Sequence, residues 1–265
     1  MRTVQEIYDA LFAFAPEHMK MGDWDNVGLL CGRFSTEVEK VLVALDPLPD
    51  VIAEAVEVGA QCIVTHHPLF FDAPRAINET TLAGRSILEL IEHGISAINL
   101  HTNLDCAPGG VNDALSAKLE LENVRVLSPA GEDAEGRPYG LLRAGETAQT
   151  DLSTFAAFVR SALACPGLRF ADAGRPVRYV AVGGGSCGSA IDEVLAAGCD
   201  TFVTADLKYH QFEEAPWRGL NLIDAGHFET ENPVCDVLAL RLREQFPELR
   251  ILKSALHHDE IQFFG

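Results

Sequence analysis

Three short segments of this chain concentrate imidazole and carboxylate groups. They are Thr-His-His-Pro at 65–68, His-Thr-Asn-Leu-Asp at 101–105 and His-Phe-Glu-Thr-Glu at 227–231. Each follows an apolar run that reads as a strand, and in open α/β sheets ligands collect beyond the carboxyl ends of strands. His66, His67, Asp105, His227 and Glu231 are therefore placed to converge on one crevice as candidate metal ligands, with His101 at the strand end that precedes Asp105. Imidazole with carboxylate and no thiolate suits zinc, manganese, iron, cobalt or nickel better than calcium or copper(I). The vicinal pair His66-His67 points to two divalent ions. Neighbouring side chains at a strand end diverge, and Pro68 holds residue 67 extended. Each ring can then serve a different metal of a pair about 3.5–4 Å apart. So few protein donors leave coordination positions open for water or substrate, which favours catalysis over a closed structural site.

Two further segments begin at strand ends. Gly-Gly-Gly-Ser-Cys-Gly-Ser at 183–189, with Ser186 at its centre, reads either as a phosphate-holding loop or as a tight turn. Thr-Ala-Asp-Leu-Lys-Tyr-His at 204–210 offers Lys208 and Tyr209 to an anionic or planar substrate; alternatively it is a helix start with Asp206 as its cap. His257-His258 beside Asp259-Glu260 has a ligand-like composition but no partner cluster, and His18 and His93 read as helix surface. No metal role is assigned to any of these.

The elements that must position the candidate ligands follow from periodicity. Apolar runs at 38–45, 61–65, 95–100, 177–182, 200–204 and 220–224 read as strands. Amphipathic stretches at 49–59, 80–94, 189–198 and 229–246 read as the intervening helices. That alternation predicts an α/β fold: two related lobes with mostly parallel sheets flanked by helices, and the metal site at strand C-terminal ends between the lobes. The turn-rich segment 128–140 divides the chain into an N-terminal metal-binding lobe, 1–127, and a C-terminal lobe, 128–265, that contributes the remaining ligands. The lobes repeat one another. Residues 53–67 resemble 193–207, and 96–105 parallel 220–231, so each half ends an apolar strand in His-x-x-x-acid.

With 265 residues, 48% of them hydrophobic, the chain can bury a sizeable core. Its formal charge of −19 argues against a broad basic face for nucleic acid, leaving local attraction of an anionic substrate to metal. No apolar run approaches the roughly 18 residues of a membrane span. The N-terminal stretch reads as an amphipathic helix rather than a signal peptide. Seven dispersed cysteines without a C-x-x-C pair suit a reducing, cytoplasmic compartment.

Five blocks taken together, DWDNVGLLCG (23–32), VTHHPLFF (64–71), INLHTNLDCAPGGVND (98–113), TADLKYHQ (204–211) and DAGHFETE (224–231), resemble the Nif-three-like dinuclear-metal family, whose members are named GTP cyclohydrolase 1 type 2 homologs. This chain resembles the short form, without an inserted domain between the halves. The resemblance implies two α/β lobes, two divalent ions and a ring-shaped homohexamer. Carried over residue by residue, it makes His66, His67, Asp105, His227 and Glu231 the ligands, with His101 beside the metals in a proton-transfer or orienting role. Ala205 departs from the family's more usual glycine. The expected function is a hydrolase that uses a metal-bridging hydroxide on a small, nucleotide-like or phosphorylated molecule, GTP ring opening with formate release being one version. The alternative is a non-enzymatic hexameric metal-handling or adaptor protein.

Overall fold

The computed structural model describes residues 1–264. They fall into two compact units: Met1–Ala107 with Cys235–His258, and Pro108–Val234 with the residues from Asp259.

The first unit holds helices α1 (Val4–Phe14), α2 (Pro49–Val58), α3 (Leu82–Glu92) and α4 (Thr102–Cys106), and strands β1 (Gly28–Cys31), β2 (Lys40–Ala44), β3 (Cys62–Thr65) and β4 (Ser96–Asn99). Thr3 and Glu6 form a capping box at the start of α1. Pro49 opens α2 with its fixed φ, and Gly59 closes it in the left-handed conformation. The sheet order is Arg250–Lys253, β2, β3, β4, β1. Its first three joints are parallel, while β1 runs antiparallel to β4 with a register shift between Leu29 and Cys31. Every residue of β3 and β4 is buried, as strands covered on both faces require. Leu42, Ile63 and Ala97 pack there with Ile52 of α2 and Leu90 of α3.

The second unit holds α5 (Val111–Lys118), α6 (Leu152–Ala162), α7 (Ile191–Ala196), α8 (Tyr209–Trp217) and α9 (His227–Glu231). Its strands are β5 (Glu122–Val126), β6 (Arg143–Thr150), β7 (Arg169–Ala171), β8 (Val177–Val182), β9 (Thr201–Thr204) and β10 (Asn221–Asp224), in the order β7-β10-β9-β8-β6-β5. Only β8, β9 and β10 are mutually parallel; β5, β6 and β7 pair antiparallel. The period-2 alternation of strands sends Val180, Val203 and Ile223 to a core with Phe155 and Val159 of α6. It sends Ala181, Phe202 and Leu222 to an opposite core with Val194 of α7.

The expected strands and helices are all present, but the division of the chain differs from the expected 127/128 boundary. Residues 131–132 and 138–139 pair as a small hairpin inside the second unit. The units part at Ala107/Pro108, and the chain returns to the first unit at Cys235 to add Arg250–Lys253 beside β2. The expected mostly parallel character holds in the first unit and only for the centre of the second. No helix among the described residues is long and apolar enough to cross a membrane.

Phe202 is fully buried at the middle of the second unit's sheet. Phe202→Ala is expected to destabilise the protein by about 3–5 kcal/mol, read as a shift of the urea midpoint at unchanged slope.

Candidate metal centre

In the first unit β3 runs directly into His66 and His67, and the backbone there is tightly held. His67 N donates to Leu45 O at 2.9 Å, while Thr65 Oγ1 and Asn99 Nδ2 both donate to His67 O, at 2.8 and 3.0 Å. His66 is fully buried and His67 partly so. A nitrogen from each of His66, His67 and His101 lies within 4.8 Å of the other two. His66 Nε2 lies 3.6 Å from Asp105 Oδ1 on α4, and both residues are buried. That spacing is too long for a hydrogen bond and close to the roughly 3.3 Å edge of a tetrahedral zinc site.

His67 and His101 are each turned by a carboxylate. His67 Nδ1 donates to Asp46 Oδ1 at 2.6 Å, and His101 Nδ1 to Asp25 Oδ1 at 2.7 Å. An ionised carboxylate only accepts, so a proton sits on Nδ1, and in the neutral ring Nε2 then carries the lone pair a metal or a proton can take. Asp25 also accepts from Thr102 N at 3.1 Å and from Thr102 Oγ1. Burial pushes the Asp25 carboxyl up, but the hydrogen bonds from His101 and Thr102 outweigh that and hold it below its ordinary value.

In the second unit the donors stand on α9, a five-residue helix following β10. His227 Nε2 lies 3.1 Å from Glu231 Oε2, and His227 Nδ1 donates to Asp206 Oδ2 at 2.7 Å. Asp206 follows β9 with φ +54°. It is not the cap of α8, a place taken by Lys208. Glu231 is buried against the glycine loop: Gly185 has φ +63°, and a Cβ on it would collide with Glu231 Oε1.

That loop is a tight turn whose amides point inward. Gly183 N donates to Val203 O, Gly184 N to Asn112 Oδ1, Gly185 N to Thr230 Oγ1 and Cys187 N to Thr204 Oγ1. Its exposed polar side chains are Ser186 and Ser189, and Lys208 and Tyr209 are likewise exposed at the start of α8. His257 Nδ1 accepts from Leu45 N at 3.2 Å, so this histidine steadies the loop that carries Asp46. His18 and His93 lie on the surface.

The structure thus brings His66, His67, His101 and Asp105 together in one unit, and His227 with Glu231 in the other. Asp25 and Asp46, the carboxylates behind two of the histidines, were not among the residues expected from sequence, and Asp206, expected as a helix cap, stands behind a third. Asp25 lay inside the quoted DWDN block and Asp46 just past a strand end, where a histidine partner is invited. The donor chemistry of each unit fits a divalent ion: imidazoles oriented through Nδ1 beside buried carboxylates.

The family model described as Duf34/NIF3 (NGG1p interacting factor 3) matches residues 2–260. The chain belongs to this family. A Streptomyces coelicolor relative named "GTP cyclohydrolase 1 type 2 homolog" is 41% identical over 250 residues, covering 92% of this chain and 87% of the relative. A Clostridium perfringens relative of the same name is 34% identical over 263 residues, covering 98% and 99%. The crystal structure of a Bacillus cereus protein related to NIF3 superposes with a TM-score of 0.92 at 26% identity, covering 100% of this chain and 99% of that one. This NIF3-family chain therefore shares its fold with that structure, and its match to the two relatives spans most of each chain.

Removing a carboxylate behind a ligand histidine frees the ring to turn. Asp46→Ala and Asp206→Ala are each expected to weaken binding of zinc or cobalt about 10–100-fold, measured by competition with a chromophoric chelator. Unchanged affinity in both variants would show that these carboxylates do not orient metal ligands.

Proposed function

We propose that this chain is a metal-dependent hydrolase whose two divalent ions are held by His66, His67, Asp105, His227 and Glu231. The observation that carries the reading is the Nδ1–carboxylate bond of His67 and of His227, at 2.6 and 2.7 Å; buried Asp105 lies 3.6 Å from the adjacent His66 in one unit, and buried Glu231 3.1 Å from His227 in the other. Oriented imidazoles next to buried carboxylates are what a divalent cation requires and what a neutral core avoids. A divalent pair supplies Lewis acidity and acidifies water near neutral pH. His101 supplies the remaining chemistry. Its Nδ1 proton is held on Asp25, so Nε2 is the atom that takes a proton from the nucleophile or returns one to the leaving group. Lys208, Tyr209 and Ser186 are the exposed groups of the second unit that, in this reading, contact an anionic substrate.

The relatives' printed name supports a nucleotide-like substrate, with formate release from GTP as its specific version. In the same reading the chains work as a homohexamer.

Chelated protein reloaded with zinc, manganese, iron, cobalt or nickel is to be assayed for formate release from GTP and against phosphoesters and amides. Turnover that depends on metal and falls about 100- to 10,000-fold in His101→Ala is expected. Turnover no greater than that of Asp105→Ala for every substrate and ion would overturn the hydrolase reading and leave a metal-handling protein.

A further inference from the structure

Two large aromatic side chains stand half exposed beside His101 although the backbone around them is firmly tied. Trp24 is 58% exposed and Phe71 is 50% exposed, while Asp25, next to Trp24, is 4% exposed. The Phe71 ring lies 5.3 Å from the His101 ring at 69°, and the Trp24 ring 6.0 Å from it at 82°. The two aromatic rings face one another across 6.3 Å at an angle of 38°. Their loops are fastened at three points. Asp25 is bonded to His101 and Thr102, Asn26 Nδ2 donates to Phe70 O at 2.9 Å, and His67, four residues before Phe71, is pinned to Leu45.

We infer that Trp24 and Phe71 form a ring-stacking subsite for a substrate that carries a planar heteroaromatic ring, beside the imidazole that handles its proton. The inference rests on the proposed function for its reacting group and goes beyond it in naming the substrate's ring and the residues that hold it. A pair of core aromatics would be buried, and scattered surface aromatics would not be fastened to the loops that carry His67 and Asp25. The rings open a wedge too narrow for a full sandwich, which needs about 3.5 Å on each face. A small rotation of the exposed indole completes it. The negative faces of indole and phenyl favour an electron-poor ring such as a purine or a pyridine, while a furanose phosphate, with no π face to stack, gains much less from them. Both rings stand steeply to the imidazole plane, so a ligand stacked on them is gripped through its faces while His101 approaches from a different direction.

Sequence composition makes the test simple, because the chain has two tryptophans. In a Trp217→Phe background Trp24 is the sole indole, and its fluorescence is titrated with guanosine, adenosine, cytidine and nicotinamide against ribose 5-phosphate and inorganic phosphate. At least one ring compound is expected to quench saturably, with ribose 5-phosphate and phosphate silent. Phe71→Ala, and Phe71→Leu which keeps apolar bulk without a ring, should each weaken that quenching about tenfold. Asp105→Ala, which removes a proposed metal donor, should retain it, so failure of the metal reading and failure of the subsite give different results. The inference is overturned if ring and ringless probes behave alike, if Phe71→Leu binds as the parent does, or if Trp24 emission responds only to protein concentration, which would mean a second copy of the chain covers the pair.

Discussion

A hydrogen bond from a histidine Nδ1 to a carboxylate recurs three times, at Asp46–His67, Asp25–His101 and Asp206–His227. Each fixes a tautomer and a ring direction that an isolated imidazole would share among several. Much of the surrounding structure serves to hold these carboxylates in place. Thr102 ties Asp25 through its amide and its hydroxyl, and His257 accepts from the amide of Leu45, the residue before Asp46. Asp206 sits in a left-handed conformation that costs a non-glycine residue about 1 kcal/mol or more, a strain its bond to His227 helps to offset. In a chain of formal charge −19, the buried carboxylates of Asp105 in one unit and Glu231 in the other each favour positive charge close by.

The two units reach similar ends by the same local device. A helix closed by a left-handed glycine, Gly59 or Gly198, leads into a buried strand ending in Val-Thr. A later parallel strand then runs into a five-residue helix, α4 or α9, that carries the acidic residue. The divergence between them is informative. Where the first unit has His66-His67 after Val-Thr, the second has Ala205-Asp206. Asp206 thus takes the position of a histidine and bonds His227 instead, so the repeat has one histidine-rich half and one half with a single imidazole beside a carboxylate.

The parallel centre of both sheets was legible in the sequence because strands covered on both faces read as unbroken apolar runs, CIVT, SAIN and TFVT among them. The antiparallel strands were not. Glu122–Val126 is exposed along most of its length, and Arg143–Thr150 turns polar halfway, so neither carries a continuous apolar signal. The return of residues 250–253 to the first sheet is a long-range pairing that local pattern does not encode. The same limit applied to the site. The histidines and acids at strand ends stood out by type and spacing, whereas Asp25 and Asp46 serve rings 76 and 21 residues away in sequence. Trp24 and Phe71 likewise gain meaning only from being brought beside His101.

The central claim is that oriented imidazoles and buried carboxylates hold a pair of divalent ions. The most direct test is elemental analysis of the purified chain, stripped and then reconstituted with each of zinc, manganese, iron, cobalt and nickel, beside Asp105→Ala. The account predicts two tightly held ions per chain for at least one metal and their loss from the variant. No retained metal with any of the five, or the same content in Asp105→Ala, would contradict it.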